Sequence, residues 1–74
     1  MARILLFSNH ADARIPEEHL THREVLSVIA NPARVSDQPH RVWYYGYSTD
    51  SPLIRVIVAK DKPIIVSAHV ITGT

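Results

Sequence analysis

Residues 53–72 read Leu-Ile-Arg-Val-Ile-Val-Ala-Lys-Asp-Lys-Pro-Ile-Ile-Val-Ser-Ala-His-Val-Ile-Thr, and this stretch decides the fold class. Leu53 to Ala59 and Ile64 to Thr72 are rich in β-branched residues, and Lys60-Asp61-Lys62 separates them as a turn. If Ala59 and Pro63 close that turn, Val58 faces Ile64, Val56 faces Val66 and Ile54 faces Ala68, giving one apolar face with Val70 beyond it. The same register sets Arg55 across from Ser67, Ile57 across from Ile65 and Leu53 across from His69, so polar groups gather on the opposite face. Arg41 to Tyr47 supplies a third strand, set apart by Ser48-Thr49-Asp50-Ser51-Pro52. The three form an antiparallel meander.

Upstream of the meander, Ala33 to His40 follows Pro32, contains Pro39 and carries Ser36, Asp37 and Gln38 in succession, which reads as a loop. Thr21-His22-Arg23-Glu24 has capping-box spacing and starts a helix at residue 22. Val25, Leu26, Val28 and Ile29 fall on one arc of that helix, about 160° wide at 100° per residue, and Asn31-Pro32 stops it. The arc predicts packing on a sheet. Ile4-Leu5-Leu6-Phe7 reads as a short strand, closed by the N-capping pair Ser8-Asn9. A first helix over residues 10–15 follows. Pro16 breaks or kinks it at Ile15, or Pro16-Glu17-Glu18 opens a new turn. The order β, α, α, β, β, β predicts an α+β domain, with one or two N-terminal helices packed on an antiparallel sheet of three to four strands.

At 74 residues the chain is one domain, spanning 1–74. Its composition, 46% hydrophobic and 20% charged, is that of a folded protein, and it shows no repeats. A domain this small buries only about 60–65% of the surface its unfolded chain exposes, so oligomerisation or a partner is expected to add stability. Absence of cysteine favours a reducing compartment and predicts a cytoplasmic protein. The apolar run Met1 to Phe7 is broken by Arg3 and falls short of both a signal peptide and a membrane span. A net charge of +1 is too small to steer the whole molecule onto nucleic acid, so any RNA site is a local cluster.

Three patterns occur in order: S-x-H-A-x-x-R over Ser8 to Arg14, a helix ending in Asn31-Pro32, and an L-I-R-V-I-V strand followed by an I-I-V-S-A-H strand. Taken together, over nearly the whole chain, they resemble a family of short single-domain proteins of unassigned function in the barnase, colicin and RelE-type ribonuclease superfamily. The resemblance implies a RelE/barnase-like fold and a metal-independent endoribonuclease, the toxin of a toxin–antitoxin pair or a toxin-like domain. Mapped here, it implies functional roles for His10 and Arg14 at the first helix, Arg55 on the middle strand, and Ser67 with His69 on the last. Two departures stand out: Pro16 interrupts the first helix, and His69 stands where the family often has Tyr.

The chemistry stands beside the resemblance. Cleaving RNA through attack of its own 2′-hydroxyl needs a base near that hydroxyl, an acid for the leaving 5′-oxygen and cationic donors for the phosphorane. Histidine and arginine meet those needs, and Arg offers a bidentate phosphate geometry that Lys lacks. His10, Arg55, Ser67 and His69 are the candidate catalytic residues, with Arg14, Arg41 and Tyr44 as candidate substrate contacts and no metal or cofactor. Each has a plainer reading: His10 as a surface helix residue, Arg55 and Ser67 as cross-strand neighbours, His69 as a half-exposed strand end, and Arg14 as the partner of a nearby carboxylate. Four aromatics cluster at Trp43, Tyr44, Tyr45 and Tyr47, where alternation puts Tyr44 on one face and the other three on the opposite one. They suit core or partner interface, or bases stacking on them. Glu18, His19 and His22 lack the spacing of a full zinc set. The competing function is a non-enzymatic binding module of the same fold, which dimerises or holds an antitoxin or other protein partner; RNA is the partner of the enzyme.

Overall fold

The structure is a computed structural model and describes residues 5–47 and 52–71. Its elements run β1 (Leu6–Phe7), α1 (Asn9–Glu17), α2 (His22–Ala30), β2 (Arg34–Asp37), β3 (Arg41–Tyr47), β4 (Leu53–Ala59) and β5 (Ile64–Ile71). The five strands form one sheet in the order β1-β5-β4-β3-β2, in which β1 runs parallel to β5 and every other pair is antiparallel. The fold is therefore α+β, two helices on a mixed five-stranded sheet. Ile4 and Thr72 at the ends of the expected strands, and residues 48–51 of the expected turn, lie outside the described residues. No helix among the described residues is long and apolar enough to cross a membrane.

Both helices lie on one face of the sheet, α1 along β5 and α2 across β3 and β4. The core between them is Ala11, Ile15, Leu20, Val25 and Val28 against Ile54, Val56, Val58, Ile65 and Ala68. The α2 arc behaves as expected at Val25 and Val28, whereas Leu26 at its margin is 41% exposed. Close approach of α2 is allowed by Gly46 on β3, where a Cβ would meet both Val28 methyl groups at 3.2 Å.

Three expectations are corrected. Residues 34–37 pair with β3 as an edge strand, where a loop was expected, because backbone pairing with a neighbouring strand overrides a segment's weak β propensity. The sheet thus has five strands, and the β1 pairing makes it mixed. Second, α1 runs through Pro16 to Glu17. Pro16 falls in its last turn, where a missing N–H removes one hydrogen bond and interrupts no further ladder. A Schellman closure follows directly: Leu20 N–H donates to Ile15 carbonyl and His19 N–H to Pro16 carbonyl, with His19 left-handed at φ 59°.

The third correction concerns register. β4 and β5 pair as Leu53 with Ile71, Ile54 with Val70, Arg55 with His69, Val56 with Ala68 and Ile57 with Ser67, two residues on from the expected pairing. A bulge then makes Val58 face Ile65, so Val66 is the extra residue of β5. Below the bulge Ile65 takes the core position expected for Ile64 and Val66, which are half-buried. Above it, the alternation of core and open face resumes as predicted.

Candidate active site on the open face of the sheet

Side chains alternate across a strand, so the face turned away from the helices carries Trp43 and Tyr45 from β3, Arg55 and Ile57 from β4, and Ser67 and His69 from β5. The bulge re-aims β5 at this point and sets His69 directly opposite Arg55. Ser8 anchors the bulge from the helix side. As N-cap of α1 it accepts from Ala11 N–H at 3.0 Å, and its hydroxyl donates to the Val66 carbonyl at 3.0 Å.

Beyond the two residues of β1, α1 runs beside β5. Glu18 Oε1 accepts the Val70 N–H at 2.8 Å, while Oε2 lies 3.8 Å from Arg14 Nη2. Glu17 lies 3.6 Å from Arg14 Nη1. The guanidinium held this way reaches the open face, where Arg14 Nη2 lies 3.1 Å from His69 Nδ1. On its other side, His69 Nε2 lies 2.9 Å from Ser67 Oγ.

A guanidinium only donates, so Nδ1 of His69 accepts from Arg14 and the neutral ring carries its proton on Nε2. That proton is donated to Ser67 Oγ, which leaves the Ser67 hydroxyl hydrogen free to donate outward. The arrangement is a chain of donors, Arg14 to His69 to Ser67, and His69 does not act as a base toward Ser67. Burial pushes the His69 pKa down, the positive charges of Arg14 and Arg55 push it further, Glu18 opposes them, and His10 adds a smaller downward push. His69 is thus held neutral at neutral pH.

Arg55 stacks over Trp43, its guanidinium carbon 4.8 Å from the ring centre. Arg34 from β2 stacks likewise over Tyr45 at 5.3 Å. The Nε atoms of Arg14 and Arg55 are out of contact with solvent and lack a hydrogen-bond partner among the described residues. Two guanidiniums, a hydroxyl and a neutral imidazole that share one surface can bind an oxyanion such as a phosphodiester.

Of the expected site residues, Arg14, Arg55, Ser67 and His69 come together. Ser67 is only 4% exposed. His10 is exposed at the start of α1, one turn before Arg14, close enough for its charge to act on His69 and with no side-chain hydrogen bond among the described residues. Arg41 is exposed on the same face as Trp43, at the far end of β3 from Arg55. Tyr44 is not with them. It packs against the core on the helix side and lines a groove of about 750 Å³ with Leu5, Ile29 and Val58. His22, weighed above as a metal ligand, instead meets Asp12 at 2.8 Å and packs edge-on against Phe7.

Glu18 and Arg34 escaped the sequence reading. The i,i+4 spacing of Arg14 and Glu18 was a usable signal; Arg34 had none, since its strand was not foreseen. Compared with protein-family models, curated proteins and solved structures, the chain matches none. The functional reading rests on the site.

Proposed function

We propose that this chain is a metal-independent endoribonuclease of the RelE/barnase type, a toxin or toxin-like domain acting in the cytoplasm. One observation carries the reading: Arg14, Arg55, Ser67 and His69, brought from a helix and two strands, meet around a surface suited to a phosphodiester. Arg14, Arg55 and the Ser67 hydroxyl take the non-bridging oxygens and stabilise the phosphorane, where charge accumulates. His10, with no side-chain hydrogen bond among the described residues, takes the proton of the 2′-hydroxyl as O2′ bonds to phosphorus. The bound phosphate draws Arg14 away from Nδ1 of His69, freeing that nitrogen to take up a proton from water. The protonated ring then delivers a proton to O5′ as the P–O5′ bond breaks. A 2′,3′-cyclic phosphate and a 5′-hydroxyl result; His69 is neutral again, and His10 gives its proton to the hydroxide left when His69 took its proton from water.

A second reading is favoured by one observation, that both ring nitrogens of His69 are engaged within the fold. On this reading the domain is a binding module, and its open face is covered by an antitoxin, another protein or a second copy of the chain. An RNA-cleavage assay separates the two. Wild type should cut RNA in the presence of EDTA and fail on a substrate with a 2′-deoxy scissile nucleotide, and His10→Ala and Arg55→Ala should each lower the rate by orders of magnitude. Failure of the wild type to cut any RNA selects the binding module.

A further inference from the structure

The strand registers place four side chains of the open face in one straight row across the sheet: Arg34 opposite Tyr45, Tyr45 opposite Arg55, and Arg55 opposite His69. With neighbouring strands about 4.8 Å apart, the row is about 14 Å long, with Arg34 and Arg55 about 10 Å from one another on either side of Tyr45. Arg14 extends it past the edge of β5. Trp43 adjoins it, two residues from Tyr45 on the same face, under Arg55.

Cation, aromatic ring, cation is the order of groups that a nucleotide chain requires if its phosphates bracket a splayed base. We infer that single-stranded RNA crosses the open face along this row, with phosphates on Arg34 and on the Arg55–Arg14 pair and a base stacked at Tyr45 and Trp43 between them. This assignment rests on the RNA reading proposed above and names the form of RNA bound.

Charge supports that occupant over a protein. Arg34, Arg41 and Arg55 all lie on this face, and among the described residues no strand position on it carries a carboxylate. The acidic Asp37 of β2 points to the other side, where it pairs with Lys60 at 2.8 Å. A chain with a net charge of only +1 has thus gathered half of its six arginines on the strands of one face. Both rings already hold a guanidinium over the face that a base would use, and an incoming phosphate gives each arginine a new partner as the base takes the ring. Duplex RNA is excluded because its bases are stacked inward and cannot reach a ring standing on a sheet.

Trp43 is the only tryptophan of the chain, so its fluorescence reports on this face alone. Full-length protein is titrated with a 2′-O-methyl single-stranded ten-mer, which cannot be cleaved through its 2′-oxygen, with the same ten-mer as a duplex, and with an abasic strand of equal length. The single strand should quench Trp43 and bind at least about tenfold more tightly than the other two, given what one base stacked on an aromatic ring contributes. Tyr45→Ala should remove about tenfold of that affinity and Tyr45→Phe should restore it. Arg34→Gln should weaken the single strand and the abasic strand alike and reduce the salt dependence by roughly one phosphate contact. Equal binding of all three ligands, or no response of Trp43, overturns the assignment, and the arms on wild-type protein give this answer whether or not Tyr45→Ala folds. Cleavage of ribose RNA with KM unchanged in Arg34→Gln and Tyr45→Ala, and no Trp43 quenching, rejects the track and spares the ribonuclease. Selective single-strand binding without cleavage of ribose RNA does the reverse. A dimer whose Trp43 is shielded and indifferent to every oligomer makes the face a contact between copies and overturns the track.

Discussion

Arg14 donates to Nδ1 of His69 across 3.1 Å, although 55 residues separate them in the chain. This one contact fixes the tautomer of the imidazole, and its charge disfavours the imidazolium. Glu18, which also approaches Arg14, acts on His69 with the opposite sign. Two substitutions on one helix should therefore move the same titration in opposite directions. Arg14→Ala should raise the His69 pKa and Glu18→Gln should lower it, as read from the His69 ring signals by NMR. A simple loss of packing would move both the same way.

Acid stability follows from the same shift. The folded His69 pKa lies below the ordinary value of 6.5, so between the two values the unfolded chain binds more protons than the folded one. Its contribution to stability is present above about pH 6.5 and is lost as the pH falls from there through the lower folded value. In urea titrations at stepped pH, His69→Gln should flatten the decline across that window.

Much of the fold was legible because its signals are local. The Thr21–Glu24 capping box needs four residues, and it forms as written, with Thr21 N–H donating to Glu24 Oε1 at 2.9 Å. The strand ends at Arg41, Tyr47, Leu53, Ala59 and Ile64 also fall where the sequence put them. What was illegible is non-local. Arg34–Asp37 is a strand only because β3 lies beside it. The bulge at Val66 has no glycine to announce it, and the carbonyl it turns out is met by the hydroxyl of Ser8, 58 residues away. The turn and the bulge each moved the expected register by one residue, two in all beyond the bulge, which preserved the faces of Arg55, Ser67 and His69 but changed their partners. The shared face of Arg55, Ser67 and His69 could thus be read from the sequence while their contacts could not, and Tyr44, expected as a substrate contact, lies on the helix side where alternation already separated it from Trp43 and Tyr45.

His19 occupies the left-handed position of the α1 Schellman closure at φ 59°, a conformation that costs a residue with a Cβ roughly 1–2 kcal/mol. Glycine takes it without that cost. After allowance for the greater freedom of glycine in the unfolded chain, His19→Gly should stabilise the protein by about 1 kcal/mol. The urea midpoint should rise with the slope unchanged, since the exposed His19 side chain buries no surface that would alter it.

Arg55 separates geometry from charge at the site. Its guanidinium stacks on Trp43 at 4.8 Å, faces His69 across the strand pair and has its Nε out of solvent. Lysine keeps the charge but loses the planar fork and most of the stacking. Arg55→Lys should therefore cost stability, about 1 kcal/mol, more than the 0.5 kcal/mol or so of an ordinary surface change. In the proposed reaction it should still lower kcat by at least about tenfold with a smaller change in KM, because a fork aimed at the phosphorane acts in the transition state more than in the bound ground state. Single-turnover cleavage and urea unfolding on the same preparation read the two effects independently. A lysine variant with wild-type kcat would remove Arg55 from the transition state and leave it only the stacking contact with Trp43.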